Sequence, residues 1–216
     1  MPDVPLSLRP KVSQLCTELT LEFAEISPGR LAALQELADF VLRRRTHGAA
    51  CRITAICTHN SRRSHFAQLW LAIAADYYGI PEIETFSGGT AATALEPRAV
   101  QALKRAGLKV EGKTARDDNP LYHVRWREQG PPYAAFSKVY DDPPNPKRDF
   151  AAVLVCTAAA ADCPFVNGAE LRVQIPYDDP KRADGTAEEE EVYDESLREI
   201  GREMLYVMAR VADSLR

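Results

Sequence analysis

Through residues 7–25, apolar positions fall at Leu8, Val12, Leu15, Leu19, Leu21 and Phe23, a loosely helical spacing. This period predicts a helix. A second helical run opens at Ser27-Pro28, with proline in its first turn, and places Leu31, Leu34, Leu37, Ala38 and Val41 on one face. Arg43-Arg44-Arg45 suits its carboxyl end, where the helix dipole favours cations, and Gly48 stops it. Residues 1–48 therefore read as an N-terminal helical hairpin. It either covers an edge or face of the core, or offers a homodimer surface or a cap over an active site.

Beyond Gly48 the pattern changes. Residues 52–56 form a short apolar run, read as a strand, and a helix follows from Arg63 to the Tyr78-Gly79 stop. A second strand, 82–86, runs into the glycine-rich turn Ser87-Gly88-Gly89-Thr90. Pro97 opens a helix over 98–106 that Gly107 ends. Residues 151–156 and 172–175 read as two more strands, the first continuously apolar as in a buried parallel sheet. Residues 187–215 form a long final helix whose acidic opening, Glu188 to Glu191, matches a helix amino terminus. Strands alternating with helices predict an α/β domain over 49–216: a parallel, twisted sheet of about four strands with helices on both faces. Residues 112–150 are weakly patterned and read as an insertion. Within it, 122–126 and 135–140 resemble strands joined through Gly130-Pro131-Pro132, a hairpin at a sheet edge.

Composition narrows the functional classes. The chain has 216 residues, 45% hydrophobic and 27% charged, with net charge −4. No basic patch interleaved with aromatics suggests nucleic acid, and no apolar run reaches the length of a membrane span. The N-terminus lacks the pattern of a signal peptide. Five cysteines, an odd number, are spaced unlike a disulfide framework or a zinc site. A cytoplasmic protein with no bound metal or cofactor is expected, its cysteines reactive or simply buried. Cys16, on an apolar helix face, reads as core.

The chemistry concentrates in Cys57-Thr58-His59-Asn60-Ser61-Arg62-Arg63-Ser64, between the first strand and its helix. Backbone N–H groups of such a turn and the helix amino terminus make an anion pocket. Arg63 can grip two oxygens of an oxyanion, and Ser64 can donate to Cys57, favouring the nucleophilic thiolate. Asn60 suits a left-handed turn, and His59 is expected to point outward. Oxygen leaving groups benefit from a general acid. Asp141-Asp142-Pro143 and Asp178-Asp179-Pro180 compete for that role; the second follows the last core strand, so Asp179 is the candidate and Asp178 the weaker one. Cys156 and Cys163 flank an alanine-rich segment. As a helix it would separate them by roughly 10 Å along its axis, too far for a disulfide unless the segment unwinds. They are either buried structural thiols or a redox pair.

The run from Cys57 to Ser64, a cysteine, five residues, then Arg-Ser, resembles the phosphate loop of the low-molecular-weight tyrosine phosphatase superfamily. Residues 86–90 are similar to its Ser-small-Gly-Thr turn, and Asp179-Pro180 to its general-acid loop. Val155-Cys156 through Asp162-Cys163-Pro164 resembles the redox segment of the thioredoxin-coupled arsenate reductases, which share that fold. The resemblance spans roughly residues 50–215. It implies that Arg63 and loop residues 58–64 hold arsenate, Cys57 attacks it and Asp179 protonates the departing oxygen. It further implies that Cys156 and Cys163 pass the oxidation outward to thioredoxin as external reductant. The alternative within the superfamily is hydrolysis of phosphomonoesters through a Cys57 phosphocysteine. Three positions depart from relatives: Lys181-Arg182 stand where the phosphatases carry aromatics, and Gln68 stands where some reductases use a glutamate to bind potassium. A non-catalytic oxyanion sensor is the third reading.

Overall fold

The computed structural model describes residues 7–113, 118–157 and 165–216. Helices α1 (Pro10–Leu21) and α2 (Pro28–Thr46) come first, joined by a 3₁₀ turn at Phe23–Glu25. Strand β1 (Cys51–Cys57), helix α3 (Arg63–Tyr77), strand β2 (Ile83–Gly89) and helix α4 (Pro97–Arg105) follow. Then come β3 (Lys109–Lys113), β4 (Leu121–Arg125), β5 (Tyr133–Ala135), β6 (Phe150–Leu154) and β7 (Ala169–Gln174). A 3₁₀ turn at Pro180–Ala183 precedes the last helix, α5 (Glu189–Leu215).

The main sheet has the order β2-β1-β6-β7 and is parallel throughout. The strand order reverses beside β1, and in open α/β sheets such a switch point at the carboxyl ends of the strands gathers the ligand site. Every position of β6 is buried, as expected of a strand covered on both faces. Helix α3 lies across β1 and β2, α2 against β1 and β7, and α5 packs over both helices. Twelve consecutive residues of α3, Ser64 to Ala75, are buried, which explains why this helix carries apolar residues on every face. Gly201 of α5 permits the close crossing: a Cβ there would lie 2.5 Å from the Trp70 ring.

The N-terminal hairpin belongs to the same core. Val12, Leu19, Leu34, Leu37, Phe40 and Val41 join one hydrophobic cluster with the sheet, α3 and α5. Glu22 binds Arg198 and Arg202 of α5 at its margin. Residues 7–48 are thus a structural layer of the domain in this fold.

The insertion differs from expectation. It builds a separate three-stranded antiparallel sheet, β3-β4-β5, and β3 was not anticipated. The strand read over 135–140 is instead β5 at Tyr133–Ala135, followed by chain whose polar groups bind the loop after β1. Only Val139 makes a bridge, to Gly89 at the edge of β2. Trp126 and Arg127 anchor this sheet to Asp76 of α3, with Trp126 Nε1 2.6 Å from its carboxylate. The alanine-rich segment and Cys163 lie outside the described residues.

Candidate active site

Three parallel strand ends converge. The register pairs Ile56 with Leu154, and Val155 N–H donates to Ile56 O at 2.9 Å. Cys57 and Thr58 therefore run beside Val155 and Cys156. Tyr177 N–H donates in turn to Val155 O at 3.1 Å, which brings residues 177–179 to the same rim. The Thr58 hydroxyl lies 3.5 Å from Cys156 Sγ. Cys57 and Cys156 are both nearly inaccessible, at 4% and 2% exposure.

The loop from Cys57 to Arg63 is held from several sides. Asn60 adopts φ 46°, a left-handed turn conformation that asparagine tolerates better than most residues. Gly89 packs so closely that a Cβ there would meet Thr58 O at 2.7 Å and Asn60 N at 2.8 Å; this is the physical need behind the glycine-rich stretch. Thr90 N–H and Ala91 N–H donate to Cys57 O and Thr58 O. The Ser137 hydroxyl donates to His59 O at 3.0 Å. His59 itself is exposed, as its place in the loop suggested.

A directed relay ends on the nucleophile. Lys138 N–H donates to Asn60 Oδ1 at 2.9 Å, Asn60 Nδ2 donates to Ser64 Oγ at 2.9 Å, and the Ser64 hydroxyl stands 3.1 Å from Cys57 Sγ. The Ser64 hydroxyl, accepting from Asn60, keeps its own hydrogen free for the sulfur. Cys16 and Cys51 lack this setting: burial pushes both up to about 12, so they are inert core thiols.

Asp179 lies where the carboxyl-end argument puts it. Its Oδ2 accepts from Arg63 Nη2 at 2.6 Å, and its Oδ1 accepts from Lys181 N–H at 3.1 Å. Arg63 Nη1 donates to Tyr177 O at 2.8 Å. The fork expected to grip an oxyanion thus binds the acid loop. The Arg62 side chain serves the rim: it donates to the Tyr193 hydroxyl at 2.9 Å and pairs with Glu96 and Asp184. Arg62 and Ser61, the latter buried, belong to the loop through their main chain. Asp142 holds its own turn, accepting from Val139 N–H, as expected for the first Asp-Asp-Pro triplet.

Comparison with known proteins decides the family. A profile described as Low molecular weight phosphotyrosine protein phosphatase matches residues 52–121. An arsenate reductase of Bacillus subtilis is 31% identical over 150 residues, which cover 69% of this chain and 88% of that protein. The chain belongs to the low-molecular-weight phosphatase superfamily, arsenate reductase type. An arsenate reductase of Halalkalibacterium halodurans is 31% identical over 62% of this chain and 77% of its own length. Among solved structures, a low-molecular-weight phosphotyrosine phosphatase of Vibrio cholerae aligns at TM-score 0.48 and 15% identity, over 76% of this chain and 96% of its own.

Relative to that superfamily, Gln68 is buried on α3 and donates its amide to Thr85 O at 3.2 Å. The amide is neutral, and its buried oxygen has no hydrogen-bond partner among the described residues. No helix among the described residues is long and apolar enough to cross a membrane.

Two site residues escaped the sequence reading. His65 is fully buried under the loop; its Nε2 donates to Asn60 O at 3.0 Å, and its Nδ1 lies 3.4 Å from Ser87 Oγ. Burial, with the Lys138 charge nearby, pushes it down to about 3, so it is a neutral imidazole that props the left-handed turn. A histidine at the start of a largely apolar helix was the available signal. Lys138 is 5% exposed, and burial pushes it down to about 8. Nothing in the stretch 135–140 marked it as more than a strand residue.

Proposed function

We propose that the enzyme reduces arsenate to arsenite, with Cys57 as nucleophile and Cys156 and Cys163 as a thiol relay. The observation that carries this reading is the second thiol: Cys156 sits at the end of the strand next to Cys57, with the Thr58 hydroxyl 3.5 Å from its sulfur. A hydrolase acting through a phosphocysteine has no need of a thiol there. Arsenate enters the loop and takes Arg63, displacing Asp179 from the guanidinium and freeing its carboxyl group to carry a proton. The Cys57 thiolate attacks arsenic, Asp179 protonates the departing oxygen, and water leaves. The Cys156 thiolate then attacks Cys57 Sγ. The S–As bond breaks with its electron pair passing to arsenic, which leaves as arsenite, two electrons richer, and a Cys57–Cys156 disulfide remains. Cys163 attacks Cys156 and restores the Cys57 thiolate. An external dithiol, thioredoxin in this reading, reduces the Cys156–Cys163 bond.

The test couples the protein to thioredoxin, thioredoxin reductase and NADPH. NADPH oxidation that depends on arsenate and vanishes in Cys156→Ser supports the relay; oxidation that survives in Cys156→Ser removes it. Phosphomonoester hydrolysis is a second reading favoured by the loop and Asp179 alone. It requires that aryl phosphate turnover vanish in Cys57→Ser and persist in Cys156→Ser, with no arsenate-dependent oxidation in the unmodified protein.

A further inference from the structure

The segment that carries Asp179 is held at both ends, and the phosphate loop supplies one of the holds. Upstream, Tyr177 is fastened to the sheet through Val155 O and to α5 through the Glu203 carboxylate. Downstream, Asp184 closes the 3₁₀ turn, and its Oδ1 accepts from the Tyr193 hydroxyl at 2.7 Å. The Tyr193 oxygen accepts in turn from Arg62 Nε at 2.9 Å, and Arg62 Nη2 lies 3.6 Å from Asp184 Oδ2. Arg62 Nη1 is 4.0 Å from Asp179 Oδ1. One guanidinium thus faces both carboxylates that bracket residues 179–184. Its side chain is 11% exposed, so salt screens these contacts little. Arg62 is itself fixed through Glu96. Glu96 N–H donates to Ser61 O at 3.0 Å, and its carboxylate accepts from Arg62 Nη2 at 3.3 Å and from Arg98 Nη1 at 2.8 Å. Arg98 reaches on to Asp184 and to Glu189 in the first turn of α5.

The two adjacent arginines therefore have different tasks. Arg63 binds Asp179 directly and must let it go when an oxyanion takes the fork. Arg62 directs its hydrogen bonds to Tyr193 and Glu96 at the rim, where oxyanion capture leaves them intact. We infer that Arg62 is a positioning residue for the general acid: through Tyr193 and Asp184 it keeps residues 179–184 beside the phosphate loop after Arg63 has turned to the oxyanion. This rests on Asp179 as the acid of the proposed function and is independent of the thiol relay. It applies equally to arsenate reduction and to phosphomonoester hydrolysis, since both need a proton delivered to a departing oxygen.

The test breaks the tether outside the phosphate loop, with Asp184→Ala, and reads kcat/KM for two aryl phosphates. Phenyl phosphate has a poor leaving group that needs the acid; p-nitrophenyl phosphate has a good one that needs it less. Misplacing the acid should cost about ten- to a hundredfold with phenyl phosphate and several-fold less with p-nitrophenyl phosphate. Arg62→Met should repeat the pattern. In an Asp179→Asn background, where no acid remains to be placed, adding Asp184→Ala should cost less than about twofold. Equal losses for the two esters, or a loss that adds in full to that of Asp179→Asn, overturn the inference. A second measurement needs no turnover: hydrogen exchange over residues 180–186 in Cys57→Ser saturated with inorganic phosphate. Adding Asp184→Ala should speed exchange there at least about tenfold while β6 keeps its protection, which also shows that the variant is folded. Unchanged exchange over 180–186 sinks the idea. If Asp179→Asn alone costs nothing while exchange still quickens in Asp184→Ala, the tether is upheld and the acid role given to Asp179 in the proposed function falls.

Discussion

Arg30 gives the N-terminal hairpin its sharpest test. From the first turn of α2 it forks onto Glu203 of α5, Nε to Oε1 at 2.9 Å and Nη2 to Oε2 at 2.7 Å. Its third nitrogen donates to Pro176 O at 2.6 Å, and the guanidinium lies 4.6 Å from the centroid of the Tyr177 ring. The Tyr177 hydroxyl donates to the same carboxylate at 2.6 Å. The Glu203 side chain is 4% exposed and that of Arg30 21%. Arg30→Met keeps the packing of the stem and leaves Glu203 buried with one hydroxyl for company. Breaking a buried pair on one side costs about 3–5 kcal/mol; because Arg30 keeps partial contact with water, the low end, about 3 kcal/mol, is expected. For a chain of this size that is a fall in Tm of roughly 6–12 °C. Urea unfolding should show a lower midpoint at unchanged slope. The double variant Arg30→Met/Glu203→Met removes both charges and should recover most of the loss. A single variant within about 0.5 kcal/mol of the parent, or a double variant no better than the single, would refute the reasoning. The same residues hold Pro176 and Tyr177, which lead into Asp179, so turnover should fall along with stability.

Three further outcomes follow from the site. His65 is held neutral down to about pH 3, whereas unfolded histidine takes its proton near 6.5. The stabilisation is complete above about 6.5 and is lost at about 1.4 kcal/mol per pH unit as pH falls below it. His65→Gln should flatten that acid limb of the urea midpoint against pH, and an unchanged limb speaks against it. Gly89→Ala would drive a Cβ into Thr58 O and Asn60 N, so inhibition by inorganic phosphate should weaken at least about tenfold; retained inhibition would mean the approach is not tight. Asp179→Asn removes the proton donor and should lower kcat by about 10²–10³ with a smaller change in KM, and a kcat within threefold of the parent would take Asp179 out of the role.

Much of this is legible in the amino-acid pattern. The apolar run before Cys57, the glycine stops at Gly79 and Gly107, and the long period of α5 fixed the alternation, because burial demands those patterns. Cys57, Ser64, Asn60 and Asp179 could be placed from their position at strand ends and turns. The insertion was harder to read. β3 has one buried apolar residue, Val110, among charged neighbours, and β5 is three residues long. Residues 136–140 have strand composition, yet their polar groups go to the phosphate loop and not to a ladder. Pairings distant in sequence, Arg63 with Asp179 and Arg30 with Glu203, leave no local trace. For the same reason His65 and Lys138 looked ordinary: what makes them unusual is the burial that tertiary packing imposes.

The central claim is that oxidation passes from arsenic to Cys57 and on to Cys156. It is tested most directly by incubating Cys163→Ser with arsenate, without reductant, and mapping the thiols by mass spectrometry. The account predicts one Cys57–Cys156 disulfide per chain, with Cys16 and Cys51 untouched and one arsenite released. Intact Cys57 and Cys156 thiols after that incubation would contradict it.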